Sequence, residues 1–140
     1  MKIFIPLIVL LFAQTLKFLI NTRENKRFHW RDFPVTGRIP SVHTALVTSL
    51  VTVVGLNQGF TSSDFGIALV LAVIIVYDAM NLRVVVGQHS RLLNQLRLDL
   101  PPEKQTLYPP TNETTGHRVP EVAAGFVLGI LLTLALNAII

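Results

Sequence analysis

Two histidines stand in polar segments of an otherwise apolar chain, and both have neighbours that acid–base chemistry uses. His43 follows Ser41 by two residues, and His117 precedes Glu121 by four. One imidazole can attack phosphorus or activate water, while another protonates a leaving oxygen. A carboxylate four residues from a histidine lies on the same helix face and can orient the imidazole, as the acid of a catalytic triad does. These residue types and spacings indicate transfer chemistry at phosphorus.

Cationic side chains in the same chain suit an anionic substrate. Lys17 and Arg83 lie within apolar context, with Asp78 five residues before Arg83. Ionisable groups at membrane depth are energetically expensive and often functional. Pro40 and Pro120 suit the first turns of two helices, and helix N-termini attract anions. Arginine binds phosphate in a bidentate manner and lysine supplies a point charge, so the set predicts a phosphate site.

Each residue also has a simpler interpretation. Lys17 could snorkel to the membrane interface, and Asp78 with Arg83 could be a structural ion pair. Ser41 could only cap a helix, and Glu121 could only complement a helix dipole. A single histidine at a helix start is commonly a cap or an interface residue. The functional interpretation gains weight because these groups converge on one membrane level.

The elements that must position these groups are apolar stretches. Apolar residues make up 51% of the chain, charged residues 14%, and the mean hydropathy is +0.55, which is too apolar for a soluble domain of 140 residues. The stretches are 3–20, 44–59, 65–86 and 122–140, against the roughly 20 residues that a span needs. The second is short and rich in threonine and serine, so it should pack against other helices. A signal peptide is the alternative for the first, but no cleavage site follows it. We predict an all-α polytopic membrane helix bundle of about four spans, with 1–140 as a single domain.

Basic residues give an orientation. The first connection, 21–40, and the third, 87–119, are basic, whereas the second, 57–64, contains no lysine or arginine. By the positive-inside rule the first and third connections are cytoplasmic, both termini lie outside, and the polar groups gather on the cytoplasmic side. The 21–40 loop is an orientation signal or an anionic-lipid contact. The charge of +4 is explained by this orientation, so no nucleic-acid partner is expected.

The third connection contains a further amphipathic pattern. Leucines 92, 93, 96 and 100 repeat at helical spacing beside polar residues, which predicts a short interfacial helix ended by Pro101. The following segment, 101–116, is polar and rich in proline and is predicted to be mobile. Cysteine is absent, so disulfides and thiolate metal sites are excluded.

Three segments resemble the divergent PAP2 family, which is related to acid phosphatases and vanadium-dependent haloperoxidases. They are TGRIPSVHTA (36–45), VYDAMNLRVVVGQHSRLLN (76–94) and GHRVPEVAAG (116–125). The resemblance implies that Ser41 contacts phosphate, that His43 is the general acid, that His117 is the nucleophile and that Glu121 orients His117. It further implies phosphate binding by Lys17 and Arg83, with Asp78 fixing Arg83 or its neighbours, and a mechanism that needs no metal or other cofactor.

The sequence departs from the PAP2 pattern at several positions. Val42 stands where a small residue is usual, and Glu121 replaces aspartate. The residues 114–116 replace the usual serine–arginine pair, so the arginine role passes to Arg83.

The expected activity is hydrolysis of a lipid or isoprenoid phosphomonoester, or pyrophosphate, through a phosphohistidine. The alternatives are a protein that binds or transports a phosphorylated lipid without cleaving it, and a structural subunit. The expected partners are the bilayer and the phosphorylated lipid. A homodimer would bury the polar surface that so few spans leave exposed.

Overall fold

The computed structural model describes residues 2–25, 39–113 and 118–140, apart from the side chains of Ile3, Glu24 and Asn25. This described part is helical and contains no strand. A 3-10 turn, Lys2–Phe4, precedes six α-helices: α1 (Ile5–Asn25), α2 (Val42–Gln58), α3 (Ser63–Met80), α4 (Leu82–Leu98), α5 (Pro102–Gln105) and α6 (Val119–Ile139).

The lengths and hydropathy of the helices fit a membrane bundle. Within the described ranges, three helical segments are long and apolar enough to cross a bilayer: Ile5–Arg23, Ser63–Leu98 and Val119–Ile139. The fourth apolar helix, α2, has 17 residues. Leucine, isoleucine and valine side chains on α3 and α6 are widely exposed, as expected of surfaces that meet lipid. The predicted all-α membrane helix bundle is therefore confirmed, with three long helices and one shorter one.

The short helix α2 lies at the centre of the bundle. It packs against α1, α3 and α6, whereas α3 and α6 make few contacts with each other. Its buried polar residues are Thr44, Thr48 and Ser49, and its apolar residues Val42, Ala45 and Val53 join the core cluster. Small polar residues of this kind allow close helix packing in membranes. The prediction that the second apolar stretch packs against other helices is confirmed.

Glycines on α6 form its closest contact with α2. A Cβ atom added at Gly125 would lie 2.4 Å from the carbonyl oxygen of Ser41, and one at Gly129 would lie 2.7 Å from that of Ala45. One turn further on, the hydroxyl of Thr133 lies 2.6 Å from that of Ser49. The partners advance together along both helices, so α2 and α6 are parallel. Their shared seam depends on the absence of side chains at the two glycines.

Helix α1 contributes a stripe at four-residue spacing to the same core. Ile5, Val9, Ala13 and Lys17 are all buried, with exposures of 0, 0, 0 and 2%. Residues four apart on a helix lie on one face, so this stripe points into the bundle. Because Lys17 interacts electrostatically with Glu121 near the start of α6, the second half of α1 lies beside that start.

The third apolar stretch, predicted as one span over 65–86, is interrupted. Helix α3 ends at Met80, Asn81 forms a turn with φ −115° and ψ −72°, and α4 begins at Leu82. The predicted interfacial helix is the second half of α4, and Leu100 lies beyond its end. The prediction missed the interruption because the apolar residues continue past Asn81 without a proline or glycine.

The segment after α4 folds back along that helix, and its predicted mobility stays a prediction. The amide of Asn94 donates to the carbonyl of Thr111 at 2.9 Å and accepts from its N–H at 2.8 Å. The guanidinium of Arg97 donates to the carbonyl of Gln105 at 3.0 Å. The described residues 101–113 are thus bonded to side chains of α4, while 114–116 lie outside the described ranges.

The two prolines have different positions. Pro120 is in the first turn of α6, as predicted. Pro40 instead precedes Ser41, which is the N-cap of α2, so its predicted place in the first turn of that helix is wrong. Ser41 takes the cap because its hydroxyl accepts a hydrogen bond from a first-turn N–H, which proline cannot do.

Candidate functional site

The starts of α2 and α6 are joined directly. The N–H of Ser41 donates to the carbonyl of Glu121 at 2.9 Å, and at the opposite end Asn57 donates to Asn137 through their amide side chains at 3.2 Å. Both pairs are 80 residues apart in the sequence, so the two helices run in register. Two parallel helices bring their positive ends together, which favours an anion there. We call this end of the bundle, which also receives the second half of α1 and the end of α3, the polar end.

Ser41 is completely buried at the polar end. Its hydroxyl oxygen accepts hydrogen bonds from the N–H of Thr44 at 3.4 Å and from the hydroxyl of Thr44 at 2.9 Å. The serine therefore caps α2. Its own hydroxyl hydrogen is not used by these two bonds and is available to an acceptor.

Lys17 approaches the same end from α1. Its side chain is 2% exposed, so it does not snorkel to the outside of the protein. The charge of Glu121 acts on it across the interface between α1 and α6. A buried ammonium requires compensating charge or hydrogen bonds, and Glu121 supplies the charge.

Glu121 itself stabilises the start of α6. Its carboxylate accepts a hydrogen bond from the backbone N–H of Arg118 at 3.3 Å. The carboxylate thus reaches the residue that follows His117. His117 lies outside the described residues, so its predicted contact with Glu121 stays a prediction.

His43 belongs to a second group, on the outer side of the start of α2. A cavity of about 580 Å³ is lined by His43, Asp78 and Arg83 together with apolar residues of α3. The Nε of Arg83 donates to a carboxylate oxygen of Asp78 at 3.1 Å, across the turn at Asn81. Both side chains are partly exposed, so this ion pair is accessible to a ligand in the cavity.

The six predicted site residues that the structure describes form two groups at one end of the bundle. Lys17, Ser41 and Glu121 lie inside, among α1, α2 and α6, and the other three line the outer cavity. In residues 2–25, 39–113 and 118–140, no three histidine, aspartate or glutamate side chains form a cluster that could hold a metal ion.

Sequence reasoning missed two polar residues near these groups. Thr44 binds the hydroxyl of Ser41, and the side-chain nitrogen of Gln14, one turn before Lys17, is buried without a hydrogen-bond partner in the described structure. A glutamine inside an apolar run is itself an expensive residue, and that signal could have found Gln14. Thr44 carried no signal, because threonine is common in transmembrane helices.

The helices define a class of protein, an integral membrane helix bundle whose predicted site residues gather at one end. The model of the divergent PAP2 family matches residues 1–132, and the chain belongs to that family. It is 34% identical over 144 residues to an uncharacterized membrane protein, YuiD, from Bacillus subtilis (strain 168), an alignment that covers 93% of this chain and 89% of that protein. No solved structure matches the chain.

Proposed function

We propose that this protein is a membrane-bound phosphatase that hydrolyses a phosphomonoester of a lipid or isoprenoid. The observation that carries the proposal is the parallel start of α2 and α6, joined by the bond from Ser41 to Glu121 at 2.9 Å. His43 lies in the first turn of α2, and Arg118, which follows His117 in the sequence, is the N-cap of α6 at this one end. Two imidazoles that act on one phosphoryl group need that proximity.

The proposed reaction has two steps. In the first, an imidazole nitrogen of His117 forms a bond to phosphorus, the ester P–O bond breaks, and the imidazolium of His43 gives its proton to the leaving alkoxide. In the second, water attacks the phosphohistidine while His43 accepts a proton, and the P–N bond breaks to release inorganic phosphate. Glu121 orients His117 in both steps. The steps follow the chemistry implied by the PAP2 motifs and balance without a cofactor.

The charges of the polar end support binding of the phosphoryl group. Arg83 lies in the same cavity as His43, and the parallel helix starts add positive partial charge. Lys17 is buried beside Glu121, whose charge compensates it, so it supports the site through that carboxylate. We further propose that the polar end faces the cytoplasm, because the basic connections flank it.

One observation favours a second candidate, a protein that binds or transports a lipid phosphate without cleaving it. Ser41 is 0% exposed and caps α2, while Val42, at the position of the usual small residue, is 7% exposed and belongs to the core. Close approach of phosphate to this backbone is therefore hindered, whereas Arg83 remains accessible.

The experiment that separates the candidates is phosphate release by the purified protein from a panel of lipid and isoprenoid phosphates. We expect release by the wild type, loss of release in His117→Asn, and inhibition by vanadate, which resembles the pentacoordinate phosphoryl state. His89→Asn is the matched control, because His89 is an exposed histidine on α4 outside both groups.

The binding candidate makes a different prediction in the same panel. Lipid phosphate would bind to the wild type and to His117→Asn equally, Arg83→Gln would lose binding, and no variant would release phosphate. Release that persists in His117→Asn would refute the proposed nucleophile.

A further inference from the structure

A long apolar groove lies between α3 and α6 and has α2 as its base. Its volume is about 1030 Å³, and its walls are almost entirely aliphatic and aromatic. It exists because α3 and α6 both pack on α2 but make few contacts with each other. The volume lies just above the range of about 300–1,000 Å³ that is typical of small-molecule sites.

The two ends of the groove differ in polarity. At the polar end of the bundle it is lined by Thr44, Tyr77 and Asn81, together with Val119 at the start of α6. Val119 follows His117 by two residues, and Tyr77 also lines the cavity that contains His43 and Arg83. The groove therefore begins beside both groups of the candidate site.

The far end of the groove is lined by aromatic rings. Phe60, in the turn between α2 and α3, and Phe65, in the first turn of α3, are in edge-to-face contact with ring centroids 5.3 Å apart. A Cβ atom added at Gly55 would lie 2.6 Å from the ring of Phe60, so this glycine allows the ring to lie over the end of α2. The two rings form a floor to the groove.

The groove follows most of the length of α2. Along α2 it extends from Thr44 to Leu56, which is about 18 Å at a rise of 1.5 Å per residue. A chain of about that length, anchored by its polar group at the polar end, would reach the phenylalanine floor at the turn between α2 and α3.

We propose that this groove binds one acyl-length hydrocarbon chain of a lipid phosphate and that Phe60 and Phe65 limit the length of that chain. The inference rests on the proposed function for the headgroup and adds the part of the site that selects the tail. A spanning helix from a second copy would have to pass both ends of the groove, which the floor at Phe60 and Phe65 opposes. A hydrocarbon chain with an anionic headgroup fits a groove with one polar end and one apolar floor.

The first test is photo-crosslinking in phosphatidylcholine vesicles that contain an alkyl phosphate with a diazirine at the end of its chain. We expect a chain of about 18 Å to label Leu56, Phe60 or Phe65. The Ala72→Trp side chain would fill the middle of the groove. It should reduce that labelling roughly tenfold, because excluding about two methylene groups of the lipid chain from the groove lowers the affinity by about that factor. Val70→Trp, on the outer face of the same helix, is the matched control.

The second test uses chain length. Phe60→Ala removes part of the floor. We expect this variant to be labelled best by lipid chains longer than the groove, whereas the wild type should be labelled best by chains no longer than the groove. Phe60 is 65% exposed, so this variant should fold. Labelling spread over the lipid-facing sides of α3 and α6, unchanged by Ala72→Trp, would overturn the groove as a chain site. Cross-links to a second copy in place of the lipid would assign the groove to a dimer and overturn it as well.

The two proposals can fail separately. Groove labelling without phosphate release from any lipid would leave the chain site intact and refute the phosphatase. Phosphate release with the same kcat/KM for short and long chains, and no effect of Ala72→Trp, would support the phosphatase and refute the chain site.

Discussion

Replacing Gly125 by alanine should separate the starts of α2 and α6. The new Cβ atom would lie 2.4 Å from the carbonyl oxygen of Ser41, whereas carbon–oxygen contacts are normally at about 3.3 Å or more. The helices must therefore move apart by about 0.9 Å at this point. Replacing Gly129 by alanine would require a separation of about 0.6 Å, because the new Cβ atom would lie 2.7 Å from the carbonyl oxygen of Ala45.

The displacement acts on a bond that joins the two motif segments. The hydrogen bond from Ser41 to Glu121 is 2.9 Å long, and an added 0.9 Å would take it beyond the usual limit of about 3.2 Å. Overpacking of a close interface costs about 1–3 kcal/mol. A misplacement of about 1 Å in a catalytic site can lower the rate by about 100-fold. We therefore expect Gly125→Ala to reduce both stability and phosphate release.

The assay compares thermal unfolding in detergent and phosphate release for Gly125→Ala and Gly66→Ala. Gly66 lies on α3, and a Cβ atom there would meet nothing within 4 Å, so its replacement should be neutral or slightly stabilising. Equal melting temperatures and equal activities for the two variants would refute the argument that the glycine seam holds the polar end together.

Three further predictions concern other contacts. A double-mutant cycle with Thr133→Val and Ser49→Ala should give a coupling of about 0.6–1.7 kcal/mol in thermal unfolding, because the buried hydroxyls lie 2.6 Å apart, and zero coupling would contradict the bond. Asn94→Ala should release the segment after α4 and speed its cleavage by protease, because the asparagine side chain bonds the backbone of Thr111. Gln95→Ala, at an exposed neighbouring position, should not change the cleavage rate. Equal cleavage of the two variants would show that Asn94 does not hold the segment. Leu107→Cys, at a side chain 72% exposed in a chain without cysteine, should be labelled only by reagents that cross the membrane of intact cells, and labelling by an impermeant reagent would invert the proposed orientation.

The general arrangement of the helices was predictable because it depends on hydrophobic length. Apolar stretches of about 20 residues must form helices in a bilayer, and a short second connection makes the neighbouring helices antiparallel. The same logic brings the starts of the second and fourth stretches to one end, which the bond from Ser41 to Glu121 at 2.9 Å confirms.

The details that failed depend on single residues whose effect requires a partner. Nothing around Asn81 distinguishes a helix interruption from a polar residue inside a span, whereas the pairing of Asp78 with Arg83 agrees with the ion pair that the sequence suggested. The contacts of Asn94 and Arg97 with the segment after α4 were not predicted, because their partners are backbone groups that any sequence would offer. The four-residue spacing of Gly125 and Gly129 is a signal for close packing, but the spacing does not name α2 as the partner.

The division of the site by α2 assigns different electrostatic roles to its two cations. Lys17 is buried beside Glu121, so its charge acts first on the carboxylate that would orient His117. Arg83 lies in the open cavity with His43 and shares its charge with Asp78, so it can exchange part of that ion pair for a phosphate oxygen. Because a partly exposed pair is only weakly stabilising, such an exchange is inexpensive. Substrate phosphate would therefore meet Arg83 directly, and Lys17 would act through Glu121.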